Sequence, residues 1–190
     1  MHIGIDMDDT ITNSWESVIP YYSKMFNISE EDLHKSKPYY NAISHLITLD
    51  EYYKIMLPLY DEVIPNVSLK DNVKETIDKL YELGYRVTFI TARGIDHTDP
   101  YKDSKDYLDK YGIKYDKIIT NVRDKAKACV EEKIDIFIDD SMRNCEAVSK
   151  TGIETLLYEA YYNKDYTGVK HVKNWNEIYK YLEGRCNDGN

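Results

Sequence analysis

Asp6, Asp8 and Asp9 crowd into four positions of the stretch HIGIDMDDT, with Thr10 directly behind them. Far along the chain Asp139 and Asp140 make a second acidic pair. Between the two lie Thr91, which closes an apolar run and is followed by Ala92 and Arg93, and Lys125, which directly follows Asp124. Carboxylates in such a set can attack an electrophile and can move protons. Gathered in one place they also repel. At ~4 Å each like-charge pair costs about 4 kcal/mol at an effective dielectric of 20. One lysine cannot offset several such pairs. A hard divalent cation can, and an oxygen-only donor set favours Mg2+.

The elements around these residues give them a common address. Residues 2 to 6 read as a buried strand. From Thr12 to Phe26, Trp15, Val18, Ile19, Tyr22, Met25 and Phe26 recur at helical spacing around Pro20. Residues 27 to 66 lack strand signals and read as short helices, with turns near Pro38 and Pro58. A helix from Asp71 to Leu83 stops at Gly84, and YRVTFITAR follows as a strand ending at Thr91. Asp99 and Pro100 open the next helix, which ends at Gly112. DKIIT, IDIFIDD and IETLLY read as further strands. They alternate with helices from Asp124 to Lys133, from Ser141 to Gly152 and from Asn174 to Leu182. Such alternation predicts a parallel sheet with helices on both faces. Ligands of these sheets sit at the carboxyl ends of the strands, where GIDMDD, TFITAR and IFIDD all place their polar residues.

Composition narrows the function. The 190 residues suit one domain with a sizeable insertion. No apolar stretch approaches the ~20 residues of a membrane span, and no basic-then-apolar segment opens the chain, which predicts no signal peptide. Cys129, Cys145 and Cys186 are odd in number and form no CxxC pair, so a reducing cytoplasm is the expected setting. A net charge of -9 counts against long nucleic acid but leaves room for a local cationic site.

The order strand–DxDxT, strand–Thr, lysine, strand–DD resembles the haloacid dehalogenase (HAD) superfamily of phosphohydrolases over residues 1 to 13 and 66 to 160. Asp6-Met7-Asp8-Asp9-Thr10 matches its DxDx[TV] motif, Thr91 its second motif, Lys125 its lysine and Asp139-Asp140 its acidic pair. The resemblance implies an α/β, HAD-like Rossmannoid fold, three layers α/β/α, with a small helical cap inserted after the first strand. The expected division is a core of residues 1–13 and 66–184, a cap of 14–65 and a frayed tail of 185–190. Catalysis on a phosphate monoester is mostly positioning and charge stabilisation. In that scheme Asp6 is the nucleophile. Asp8 protonates the leaving oxygen and then activates water. Thr91 bonds the phosphoryl oxygens, and Lys125 neutralises charge. Thr10, Thr91, Ala92, Arg93 and Lys125 are the expected substrate contacts. Mg2+ is expected on the carboxylates of Asp6 and Asp139 and, from the family pattern, on the backbone carbonyl of Asp8, with Asp140 acting through water. Lys127 is the alternative to Lys125, and Asp9 stands where the family usually has glycine.

Within the superfamily, GIDMDDTITN, Asp124-Lys125 and IDIFIDDS resemble the cytosolic type C 5'-nucleotidases. That resemblance implies a cytoplasmic phosphomonoesterase acting on nucleoside monophosphates, with a small phosphorylated substrate as its partner and neither long nucleic acid nor membrane. Members clamp the base between aromatic residues, for which Trp15, Tyr39, Tyr40 and Tyr60 are candidates, stacking being worth ~1–3 kcal/mol per base. Arg93 departs from the mammalian-type pattern and leaves deoxyribonucleotide preference open. Two other readings remain: a phosphatase for a sugar phosphate or other small metabolite, and a non-catalytic metabolite-binding regulator. The last would be expected with a catalytic residue missing, yet Asp6, Asp8, Thr91 and Asp139 are all present.

Overall fold

The structure, a computed structural model, describes residues 1–94 and 99–188, the last three by backbone alone. Six strands form one parallel sheet: β1 (His2–Ile5), β2 (Arg86–Ile90), β3 (Lys117–Ile119), β4 (Ile136–Asp139), β5 (Glu154–Tyr158) and β6 (Lys170–Val172). Their order is β3-β2-β1-β4-β5-β6. The chain thus begins mid-sheet, builds outward through β2 and β3, then crosses back to add β4 on the other side of β1. That reversal opens a crevice at the carboxyl ends of β1 and β4. Register keeps the strand ends level, since Ile5 pairs with both Phe89 and Ile138.

Between β1 and β2 lie α1 (Ser14–Phe26), α2 (Glu30–Lys35), α3 (Tyr40–Ile43), α4 (Leu49–Val63), a 3-10 turn at Ile64–Asn66 and α5 (Val73–Glu82). Then come α6 (Pro100–Lys110), α7 (Lys125–Glu131), α8 (Met142–Ser149) and α9 (Trp175–Asp188). Alternation along the buried strands sorts the layers. Ile3, Ile5, Phe89 and Ile138 pack with Ile77 of α5, Leu108 of α6 and Ile178 of α9. Ile90 and Phe137 face the opposite way, toward Cys129 of α7 and Val148 of α8. Gly4 also faces that second layer, where an added Cβ would lie 3.1 Å from Phe137 and 3.2 Å from Ile134 and Ile90. The α1–α4 segment adds Val18, Tyr22, Ile43 and Met56 to the larger core rather than forming one of its own. No described helix is long and apolar enough to cross a membrane.

Three elements differ from the sequence reading. α4 runs through Pro58, where a turn is expected. Glu51 and Thr48 close a capping box at its start, and Tyr52, Met56, Leu59, Tyr60 and Val63 bury one face. That packing outweighs the ~3 kcal/mol a proline costs inside a helix. β6 is a three-residue edge strand whose KHV sequence carries no apolar run. α9 continues past Leu182 to Asp188; residues 189 and 190 of the tail lie outside the described residues.

Candidate active site

β1 delivers Asp6 to the crevice, where its amide donates to the Ile138 carbonyl at 2.9 Å. The chain then folds back on Met7, whose carbonyl accepts from the amides of Thr10 (3.3 Å) and Ile11 (2.9 Å). This tight reversal keeps Asp6, Asp8, Asp9 and Thr10 on one edge. Asp9 turns the corner with φ of 61°. Its buried carboxylate accepts from the Trp15 amide at 2.8 Å, at the start of α1, and from the Tyr39 hydroxyl at 2.5 Å.

Thr91 follows β2, tied by its amide to the Ile119 carbonyl at 2.9 Å, and its hydroxyl oxygen accepts from the Arg93 amide at 3.2 Å. Lys125 is the first residue of α7, directly after its cap Asp124. Its buried ammonium donates to Asp6 and to the Ile90 carbonyl and lies 3.7 Å from Asp139. Lys127 instead faces outward and pairs with Glu131 at 3.8 Å. Asp139 ends β4, fully buried, and accepts from the Ser141 amide (2.7 Å) and the Asn144 side chain (3.0 Å). Asp140 accepts from Thr10 Oγ1 at 3.1 Å and from the Tyr162 hydroxyl at 2.5 Å, while Asn163 donates to its carbonyl at 2.7 Å.

Asp8 stands apart from this cluster. The Arg93 guanidinium grips its carboxylate and Ser14 Oγ donates to it at 2.7 Å. Arg93 is thus buried against Asp8, and among the described residues its NH1 finds no hydrogen-bond partner. Arg143, one turn past the acidic pair, is exposed on α8.

Electrostatically the cluster is short of positive charge. Burial pushes Asp6 up to about 7, against the pull of Lys125 and with a further push from Asp139. Burial likewise lifts Asp139 to about 6, and Asp140 to about 8 with help from Asp9 and Asp6. Burial alone would lower Lys125, but Asp6, Asp139 and Asp140 together outweigh it and hold the ammonium form. Asp6, Asp139 and Asp140 each offer an oxygen within 4.8 Å of the others. Three buried carboxylates that strain against ionisation, all oxygen donors, fit a hard divalent cation.

Two adjoining cavities open here. One of about 260 Å³ is lined by Asp6, Thr91, Lys125, Asp139, Asp140 and Asn144, among others. The second, of about 280 Å³, is walled by Tyr39, Tyr40, Tyr52, Tyr53 and Tyr60, with Arg93 and Arg123. Asp8, Tyr39, Asn41 and Ala92 line both. Trp15 lines neither and packs edge-on against Tyr22 and Tyr39.

Matched against known families, residues 1–186 fit the model of the 5' nucleotidase, deoxy (pyrimidine), cytosolic type C proteins. The chain belongs to this family. A nucleotidase of Clostridium acetobutylicum is 30% identical over 184 residues, covering 94% of this chain and 92% of that protein. Among solved structures, a haloacid dehalogenase-like hydrolase from Streptococcus pneumoniae superposes with a TM-score of 0.73 at 16% identity, over 95% of this chain and 97% of its own. CbbY from Rhodobacter sphaeroides, solved with phosphate, gives 0.60 at 13% identity over 93% and 95%. The nucleotidase family and the HAD fold together make the chain a phosphoric monoester hydrolase.

Several residues of the site escaped the sequence reading. Tyr162 and Asn163 follow β5, and the rule that gathers ligands at carboxyl ends of strands would have flagged them. Asn144 lies within the first turn of α8, where a side chain can reach back to the strand before it. Tyr52, Tyr53 and Arg123 carry no comparable signal.

Proposed function

We propose that the chain is a Mg2+-dependent phosphomonoesterase that hydrolyses nucleoside monophosphates through an aspartyl-phosphate on Asp6. One observation carries the reading: Lys125 pairs with Asp6 where the oxygens of Asp6, Asp139 and Asp140 come within 4.8 Å, so motifs more than a hundred residues apart share one pocket. The adjoining tyrosine-walled cavity supports a substrate with a planar base.

In this reading Asp6 attacks phosphorus and the bond to the leaving oxygen breaks. Asp8 gives that oxygen its proton, then takes one from the water that attacks the phosphoryl-enzyme, freeing phosphate and restoring Asp6. Lys125 and the Thr91 hydroxyl contact the phosphoryl oxygens, with Thr10 holding Asp140 in place. Ala92 leaves room beside Thr91, and Arg93 orients Asp8. Asp6 and Asp139 would hold Mg2+ with the Asp8 carbonyl, with Asp140 acting through water. The cation supplies charge neutralisation that one lysine cannot. Residues 14–65 serve as the cap that excludes water, over a core of 1–13 and 66–184. The setting is cytoplasmic, which suits the free buried thiols of Cys129 and Cys145.

The test is hydrolysis of nucleoside monophosphates, ribo and deoxy, 5' and 3', beside sugar phosphates, with Mg2+, with EDTA and with Asp6→Asn protein. Metal-dependent turnover that favours nucleotides and disappears in the variant supports the proposal. A clear preference for sugar phosphates would overturn the substrate, and absence of any turnover would favour a binding protein.

A further inference from the structure

Asp9 and Tyr39 both turn with positive φ, which aspartate tolerates and tyrosine does not readily adopt. Asp9 has φ of 61°, and its carboxylate is buried beside Asp8 and Asp140, pushed up to about 7 by that burial. Tyr39 has φ of 57° with ψ of -131°, a backbone region that a bulky L-residue scarcely visits. Strained residues persist where their surroundings over-determine them, and they gather at ligand sites. These two share a bond, from the Tyr39 hydroxyl to Asp9 Oδ2 at 2.5 Å. The other Asp9 oxygen takes the Trp15 amide at 2.8 Å, and Trp15 meets Tyr39 ring to edge at 5.4 Å. One carboxylate therefore ties the start of α1 and the residue before α3 to the loop that carries Asp6 and Asp8.

Tyr39 occupies a particular place. Among the described residues it is the one aromatic side chain that lines both cavities, the acidic one and the tyrosine-walled one. Its ring also meets Tyr60 at 6.2 Å, and Tyr60 shares hydroxyl bonds with Tyr22 (3.0 Å) and Tyr52 (2.6 Å). A phosphate ester with a ring beyond its phosphate reaches past Tyr39 into the second cavity, whereas a smaller ester meets Tyr39 from the acidic side alone.

We infer that Asp9 is a positioning residue that fixes Tyr39 between the two cavities, and that this pair sets the preference for nucleoside monophosphates over small phosphate esters. The inference rests on the nucleotide reading above.

The test compares kcat/KM for the best nucleoside monophosphate with kcat/KM for glycerol 3-phosphate, an ester that carries no ring. Tyr39→Phe keeps the ring and removes the donor. Asp9→Gly removes the acceptor and suits the positive φ. Each is expected to lower the nucleotide-to-glycerol phosphate ratio about tenfold, the size of one hydrogen bond to a charged group. The double variant should fall no further, because both singles break the same bond. Asp9→Asn should restore most of the ratio, since its amide accepts from Trp15 and donates to the tyrosine oxygen. A Tyr39→Phe ratio within twofold of the parent overturns the inference, as does an additive double variant. Should Asp9→Gly fail to fold, Tyr39→Phe and Asp9→Asn still decide the matter. A parent protein that hydrolyses glycerol 3-phosphate but no nucleotide sinks the nucleotide reading and this inference together, whereas an unchanged ratio in a nucleotide-preferring protein sinks the inference alone.

Discussion

Arg93 lays its guanidinium fork along the carboxylate of Asp8, with Nε 2.8 Å from Oδ2 and NH2 2.6 Å from Oδ1. The two residues leave neighbouring strands, β2 and β1, so the sheet itself sets their spacing. Arg93 is almost wholly buried, whereas the Asp8 side chain keeps 27% of its surface open to the cavities. A proton donor that must meet a leaving oxygen gains from being held in one orientation.

Lysine cannot reproduce a two-point grip. Arg93→Lys is therefore expected to lower kcat by about ten- to a hundredfold, through loss of orientation, with little change in Mg2+ affinity. Steady-state kinetics and a metal titration separate the two effects. Asp8→Asn leaves the buried guanidinium without its counter-charge and should cost about 3 kcal/mol of stability, read from denaturant melts. Equal loss of metal affinity in Arg93→Lys would mean that the pair supports the acidic cluster instead.

The carboxylate cluster makes the metal-free protein sensitive to pH in a defined direction. Asp6, Asp139, Asp140 and Asp9 are raised to about 7, 6, 8 and 7. Raised carboxyls bind protons more readily folded than unfolded, so their contribution is fully present below 3.8 and is lost as pH climbs through 6 to 8. His2 acts the other way. Its lowered value, set mainly by burial, removes stability as pH falls below 6.5. Between pH 8 and pH 6.5 the carboxylates dominate, so the Tm of EDTA-treated protein should rise as pH falls. Saturating Mg2+ should raise Tm most at pH 8 and flatten the slope, because the ion binds the charged carboxylates. A Tm that is indifferent to Mg2+ at pH 8 would count against a cation among these acids.

Asp140 belongs to that cluster and is braced by Tyr162, whose hydroxyl donates to Oδ2 at 2.5 Å. Partners behind a metal ligand set its orientation, and their removal commonly costs about tenfold or more in affinity. Tyr162→Phe should therefore weaken Mg2+ binding about tenfold by calorimetry while the protein keeps its fold. An unchanged affinity would leave Tyr162 as a packing residue of the loop after β5.

Much of this site was legible before the structure because few physical rules govern it. Apolar strands ending in acids, and the preference of ligands for carboxyl edges, bring Asp6, Thr91 and Asp139 together from residue order alone. Lys125 emerged over Lys127 because the Asp124 cap fixes where α7 begins. Arg93 was harder. Nothing in TAR reveals that its guanidinium would turn to Asp8, because that depends on how far apart β1 and β2 place their loops. Asp9 was opaque for a similar reason, since its partners, Trp15 in α1 and Tyr39 just before α3, meet it only in three dimensions. β6 passed unseen because an edge strand of three residues needs no apolar run.

Pro58 shows how packing can override a local rule, and it yields the last prediction. A proline inside a helix removes one backbone donor and crowds the carbonyl four residues earlier. α4 accepts that cost because its capping box starts the helix and its buried face, from Tyr52 to Val63, holds it against the core. Two of those residues, Tyr52 and Tyr60, wall the larger tyrosine cavity. Pro58→Ala restores the missing donor, while the more flexible unfolded chain takes back about 0.4–1 kcal/mol. The net expectation is a gain of about 1–2 kcal/mol in denaturant melts, with the α4 amides more protected in hydrogen exchange. A loss of stability would show that the helix is already bent to suit its proline, and that the tyrosine wall is built around that bend.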